Sequence, residues 1–326
     1  MIEPRANTLF RGHEGAVASL YHAATSGRLH HGWLISGQPG IGKATLAFRF
    51  ARWLLANGTS TDFSLPENAP VARRVAAGTH PDLFTVERRI NPKTDKMQSE
   101  IVIATIQEAS SFMRLTPAEG GWRVVVIDGA EDMNPNAANA LLKVLEEPPG
   151  RAILLLVTSA PGRLLPTIRS RCRALPMGNL PDEVLDPLLA AYAPELGADA
   201  RARLVGLAEG SIGTALTFAA EGGVALAGLV DEVLTGPVAP GRAQSIADTV
   251  ARAVEGVDKF STFFTLLRAG LAAHTRAAAR AGQSASRLAG QVTLWQDFGK
   301  LEREVVGLNL DKRAAIIVAL SQLHRS

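Results

Sequence analysis

A glycine loop set between an apolar strand and a long helix constrains this chain more than any other stretch of it. HGWLISG (31–37) is a short apolar run ending in glycine, and KATLAFRFARWLLA (43–56) has the spacing of a helix. Between them Gly37, Gly42 and Lys43 fit the frame G-x-x-x-x-G-K, with Gly40 inside the loop. Such a loop presents backbone N–H groups and a helix N-terminus to phosphates, with the lysine as the cationic contact. A glycine turn with a surface lysine is the plainer alternative, but it would leave an unpaired cation at a helix start, which the helix dipole disfavours. One position departs from the frame. Ala44 stands where a Ser or Thr normally supplies a magnesium ligand.

The rest of the N-terminal half repeats the strand–helix alternation. DLFTVER (82–88), WRVVVID (122–128) and AILLLVT (152–158) read as strands, the last two as runs covered on both faces. Helical spacing appears over 16–28, 103–115 and 136–147, the last stopped by Pro148 and Pro149. Residues 57–70 and 88–100 read as loops, the second exposed and partly basic. Strands alternating with helices predict a parallel α/β sheet. Beyond Cys172, residues 181–220 read as short helices, and from 222 onward the pattern is helical, interrupted at 235–241 and 280–286. The expected organisation is a P-loop-type α/β domain (1–174), a small helical domain (175–221) and an all-α C-terminal domain (222–326).

Composition narrows the function classes. At 326 residues, two or three domains are expected, and 47% hydrophobic with 20% charged residues is ordinary for a soluble globular protein. A net charge of +3 permits contact with DNA without requiring it, and 5% aromatic residues argue against a base-stacking platform. The single cysteine, Cys172, excludes an internal disulfide and a Cys-rich zinc site. The N-terminus lacks a signal-peptide core, and AILLLVTSA (152–160) is too short to span a bilayer. A reduced, cytoplasmic protein with no membrane segment is the expectation.

The acid that completes a phosphate site lies at the end of a buried strand, and VVVID supplies it as Asp128. The next position, where many ATPases place a water-polarising Glu, is Gly129. Glu131 and Asp132 read as solvated acids before an Asn-Pro turn. Thr45 could reach a phosphate or metal, but on a helix it points roughly 100° away from position 44. With the hydroxyl at 44 and the carboxylate at 129 both missing, the expectation is a fold kept without hydrolysis. Lys43 and the loop amides leave weak ATP or ADP binding open, with no cofactor required.

GRLHHGWLISGQPGIGKATLAFRFARWLL (27–55), GTHPDLF (78–84), LTPAEGGWRVVVIDGAEDMNPNAANALLKVLEEPP (115–149) and LLPTIRSRC (164–172) resemble the delta-prime subunits of bacterial DNA polymerase III clamp loaders, members of the AAA+ family. NALLKVLEEPP followed by SRC is highly specific to clamp-loader subunits. The match is strong over about the first 175 residues and weaker beyond, resting on EGSIGTAL (209–216) and GLNLDKRAAIIVAL (307–320). The resemblance implies an AAA+ domain, a helical lid and a C-terminal collar. It makes Arg171 an arginine finger reaching ATP on a neighbouring subunit. A guanidinium suits that task, being always charged and forked. An ordinary surface arginine among Arg163, Arg169 and Arg173 remains the alternative. Thr158 and Ser159 fall where the family has its first sensor, or are hydroxyls that close a strand. Two departures stand out: Thr214 lies near the place of the second-sensor Arg, and residues 57–79 lack the Cys cluster that holds zinc in many relatives. His80 reads as a turn residue before Pro81.

The implied function is a largely non-hydrolysing stator that helps load a sliding clamp on primed DNA. Its partners would be gamma/tau-type ATPase subunits, the delta subunit, the clamp, and DNA through the complex. The rivals are an ATP-hydrolysing gamma/tau-like motor, a P-loop nucleotide kinase and a plain DNA-binding module.

Overall fold

The computed structural model describes residues 3–66, 68–91 and 96–323. By internal contacts the chain forms two compact units, one running through Leu185 with Gly210–Gly213, the other Asp186–Glu209 with Thr214 onward.

The first unit is built on a parallel five-stranded sheet. Its strands are β1 (Gly32–Ser36), β2 (Leu83–Val86), β5 (Arg123–Asp128), β6 (Ala152–Thr158) and β7 (Arg173–Pro176), in the order β2-β5-β6-β1-β7. β1 pairs with β6 (Gly32 with Leu154) and with β7 (Trp33 with Arg173), and β5 lies between β6 and β2. Strand periodicity sorts the side chains into two cores. Trp33, Ile35, Val124, Val126, Ile153, Leu155 and Val157 face one layer, with α1 (Glu14–Thr25) and α2 (Lys43–Leu55). Leu34, Val125, Ile127, Leu154 and Leu156 face the other, with α4 (Ile103–Arg114), α5 (Pro135–Glu146) and α6 (Pro166–Arg171). Every residue of β6 is buried, as its unbroken apolar run predicts.

Several elements lie outside the sequence expectation, α6 among them. α3 (Pro70–Ala76) starts at the end of the stretch read as loop. The 88–100 stretch contains an antiparallel ribbon, β3 (Ile90–Asn91) with β4 (Lys96–Met97); residues 92–95 of that stretch lie outside the described residues. The edge strand β7 was not expected, because only Leu175 of its four residues is buried and Arg173 and Pro176 break the apolar pattern.

Among its described residues the second unit has helices and no strand. It includes α8 (Ala198–Leu207), α10 (Gly223–Thr235), α11 (Pro240–Ala251), α12 (Lys259–Arg280), α13 (Ala285–Leu308) and α14 (Lys312–Leu323). Phe260, Phe263 and Phe264 of α12 are fully buried, and Phe264 meets Phe298 of α13 edge-on at 6.4 Å. α13 buries only Phe298, Gly299 and Val305 along its 24 residues, while Val292, Trp295 and Val306 are exposed. Among the described residues no single helix is long and apolar enough to cross a membrane.

Candidate functional site

The loop after β1 is shaped by close backbone approach. At Gly37 (φ 153°) a Cβ would fall 2.4 Å from the Met177 carbonyl oxygen, and the Met177 N–H in turn donates to Ser36 O at 2.7 Å. At Gly40 (φ 75°) a Cβ would fall 2.4 Å from Ser211 Oγ and 3.0 Å from Gly213 Cα. Only glycine fits either place. The loop is sewn to the Gly210–Gly213 segment: Gly213 N–H donates to Gly40 O at 2.9 Å and Ser211 Oγ to Pro39 O at 2.9 Å. Gly42 (φ 102°) precedes the first turn of α2.

Lys43 opens that helix and is 6% exposed. Its ammonium donates to Gln38 O at 2.6 Å and to Ser159 Oγ at 2.9 Å. Burial lowers its pKa, opposed by the charges of Glu131 and Asp128. Asp128, at the end of β5, is shifted upward by burial and then by Glu87, against the pull of Lys43. Thr158 is buried at the end of β6, its hydroxyl accepting from Ala160 N–H at 3.1 Å. The structure thus gathers Lys43, Asp128, Thr158 and Ser159 at the C-terminal ends of three adjacent strands, where open α/β sheets bind ligands. Thr45 is buried in the first turn of α2, and Ala44 packs against the core beneath.

Glu131 departs from the sequence expectation. It is not a solvated acid: its Oε1 accepts from Ser159 N–H at 2.8 Å, and its Oε2 is shielded from solvent without a hydrogen-bond partner among the described residues. A short 3-10 turn, Ala130–Asp132, swings it back over the site. Asp132 turns the other way and pairs with Arg88 at 3.2 Å. Gly129 is left-handed (φ 78°), and a Cβ there would sit 3.0 Å from Asp132 Oδ2. The position after Asp128 therefore carries no carboxylate, but one reaches the site from two residues further on. The two acids of the Ala130–Asp132 turn were visible in the sequence; which of them turned inward depends on Ser159, 28 residues away in the chain.

Arg171 lies elsewhere. It ends α6, just before β7, with one terminal nitrogen donating to Thr167 O at 3.0 Å and the other 2.9 Å from Glu146 Oε1. Arg173 stacks over the Trp33 ring at 5.0 Å. Cys172, beside them, is half-buried, and burial pushes its thiol up to about 12. The start of β7 pairs with the start of β1, whereas Lys43 follows the loop at the end of β1. Arg171 and the Lys43 cluster thus stand at opposite ends of a five-residue strand, roughly 13 Å apart along it at ~3.3 Å per residue.

The family described as DNA polymerase III, delta subunit, matches residues 12–181. The chain belongs to that family. Within it, the chain is 38% identical to DNA polymerase III subunit delta' of Pseudomonas aeruginosa over 194 residues, 59% of this chain and 56% of that protein. It is 32% identical to subunit delta' of Escherichia coli over 193 residues, 59% of this chain and 55% of that one. Subunit tau of Escherichia coli is also 32% identical, over 163 residues, 49% of this chain and 24% of that protein. The chain spans little more than half the length of the delta' relatives it matches. A solved gamma subunit-related protein of DNA polymerase III from Thermotoga maritima shares 19% identity, with a TM-score of 0.46 over 94% of this chain and 98% of that one, a likeness too slight to argue from. The delta' resemblance read from the motifs is thus upheld, and so is the α/β P-loop fold with helices following it.

Proposed function

We propose that this protein is the delta-prime-type subunit of a DNA polymerase III clamp loader, a cytoplasmic stator that gives Arg171 to a neighbour's ATP and turns over little ATP itself. The observation that carries this reading is the separation of Arg171 from its own Lys43 cluster by the length of β1. An arginine so placed cannot assist its own loop, which supports a role toward another chain. The home site supports the second half of the reading. Lys43 and the loop amides suit a phosphate, but Ala44 offers no oxygen to magnesium and Gly129 no carboxylate to water. The proposed partners are gamma/tau-type ATPase subunits, the delta subunit, the sliding clamp, and primed DNA through the assembly. The exposed apolar positions of α13 support a collar role for the C-terminal helices. Co-purification with those subunits, followed by an ATPase assay of the mixture, tests the whole reading; failure to associate would end it.

Glu131 favours one rival, an ATP-hydrolysing motor, because it brings a carboxylate beside Lys43 and Asp128. Its commitment to Ser159 N–H argues for a structural role instead. The purified chain is expected to hydrolyse ATP at background rate, with or without DNA. Steady turnover abolished by Glu131→Gln would establish the motor reading and remove the stator.

Zinc is not proposed. Among the described residues no group of three or more His, Cys, Asp or Glu side chains converges, and His80 is buried with its Nδ1 accepting from Asp82 N–H. Elemental analysis of protein purified without added metal is expected to find less than about one zinc per ten chains; one per chain would refute this.

A further inference from the structure

The Arg171 guanidinium is already engaged within its own chain. Nη1 donates to Thr167 O at 3.0 Å and Nη2 lies 2.9 Å from Glu146 Oε1, so each terminal nitrogen already has a partner within the chain. Those are the nitrogens with which an arginine forks onto phosphate oxygens. Glu146 is the last residue of α5, where the helix dipole disfavours an anion and a nearby cation relieves it. Arg171 ends α6, where a cation is favoured. Each side chain therefore suits the other electrostatically at the place where its own helix stops.

We infer that Glu146 is a positioning residue that holds Arg171 in reserve, its carboxylate standing in for the phosphate that the guanidinium meets in the assembly. This rests on the finger reading above. The two side chains are 36% and 49% exposed, so water and salt screen the pair and it opens at small cost. A polyphosphate carries more charge than one carboxylate and displaces it once a neighbour's nucleotide is in reach. Glu146 and the nucleotide thus compete for one guanidinium. Weakening the internal competitor leaves more Arg171 free for the external one.

The test is ATP hydrolysis by the loader reconstituted with full-length chains, comparing wild type, Glu146→Gln, Arg171→Ala and the double variant. Glutamine keeps the size and removes the charge. Glu146→Gln is expected to raise kcat about 2–5-fold with KM unchanged, the span that an exposed ion pair covers. Glu146→Ala should match it. In the Arg171→Ala background neither change should have an effect, which separates holding of the arginine from a general disturbance of α5. If Arg171→Ala slows turnover but Glu146→Gln leaves kcat unchanged or lowers it, the holding role is overturned and the finger stands. A rise that persists without Arg171 overturns it equally. If Arg171→Ala does not slow turnover, the finger falls and the holding role with it.

Discussion

Arg171→Ala is expected to slow ATP hydrolysis by the reconstituted loader sharply at the one site it serves, while assembly is unaffected. A finger supplied in trans is worth roughly 10³–10⁵ in rate at its own site. Because other sites continue, total turnover should fall by the share that this site carries, not to zero. The side chain is partly exposed at the end of α6 and its deletion opens no core cavity, so a folding defect is not the cause. Arg171→Lys should rescue poorly: an ammonium keeps the charge and loses the planar fork. The two neighbouring arginines are unequal controls. Arg169 is exposed and its replacement should do little. Arg173 stacks on Trp33, so its loss also removes a packing contact and should show in stability. Equal slowing by all three would indicate a general basic surface in place of a finger.

Asp82→Ala should destabilise the first unit by about 3–5 kcal/mol, the cost of breaking a buried ion pair from one side. Asp82 is 1% exposed. Its two oxygens accept from Ala118 N–H at 2.7 Å and Glu119 N–H at 3.0 Å, and Arg123 approaches one of them to 3.6 Å. Arg123 is itself buried, donating to the Leu115 and Thr116 carbonyls and lying over the Phe112 ring. Removing the carboxylate orphans two amides and leaves a guanidinium in the interior with neutral acceptors only. Asp82→Asn should cost less, since an amide oxygen still accepts one N–H. Urea titration read by circular dichroism gives the difference directly. A change below about 1 kcal/mol would mean that the turn between α4 and β5 holds without this latch. The aspartate of GTHPDLF would then need another explanation.

Features set by local residues were legible in the sequence, and features set by distant ones were not. β6 was expected at the residues where it is found, since a strand covered on both faces declares itself by an unbroken apolar run. The loop from Gly37 to Lys43 was legible because glycine and lysine spacing is a local signal. β7 was not, because its place is set by pairing with β1, about 140 residues earlier, and not by its own composition. α3 has seven residues and a proline in its first turn, too little for periodicity to register. Glu131 and Glu146 were hidden for a further reason. Their roles depend on which way a turn or helix end directs one carboxylate, and neighbouring acids, Asp132 and Glu147, looked equally eligible.

A parallel strand has two unlike ends, and here each carries a different instrument. We read the loop at the end of β1 as a cradle without the groups for turnover, and Arg171, beside the beginning of that strand, as a donor for another chain. Under the proposed reading, a row of such subunits joins head to tail, each interface pairing one cradle with one donor. A member whose cradle is inert can give but not receive. It fits at a terminus of the row of live interfaces and not within it, so this one chain would set where the series of firing sites stops and lend the assembly a direction.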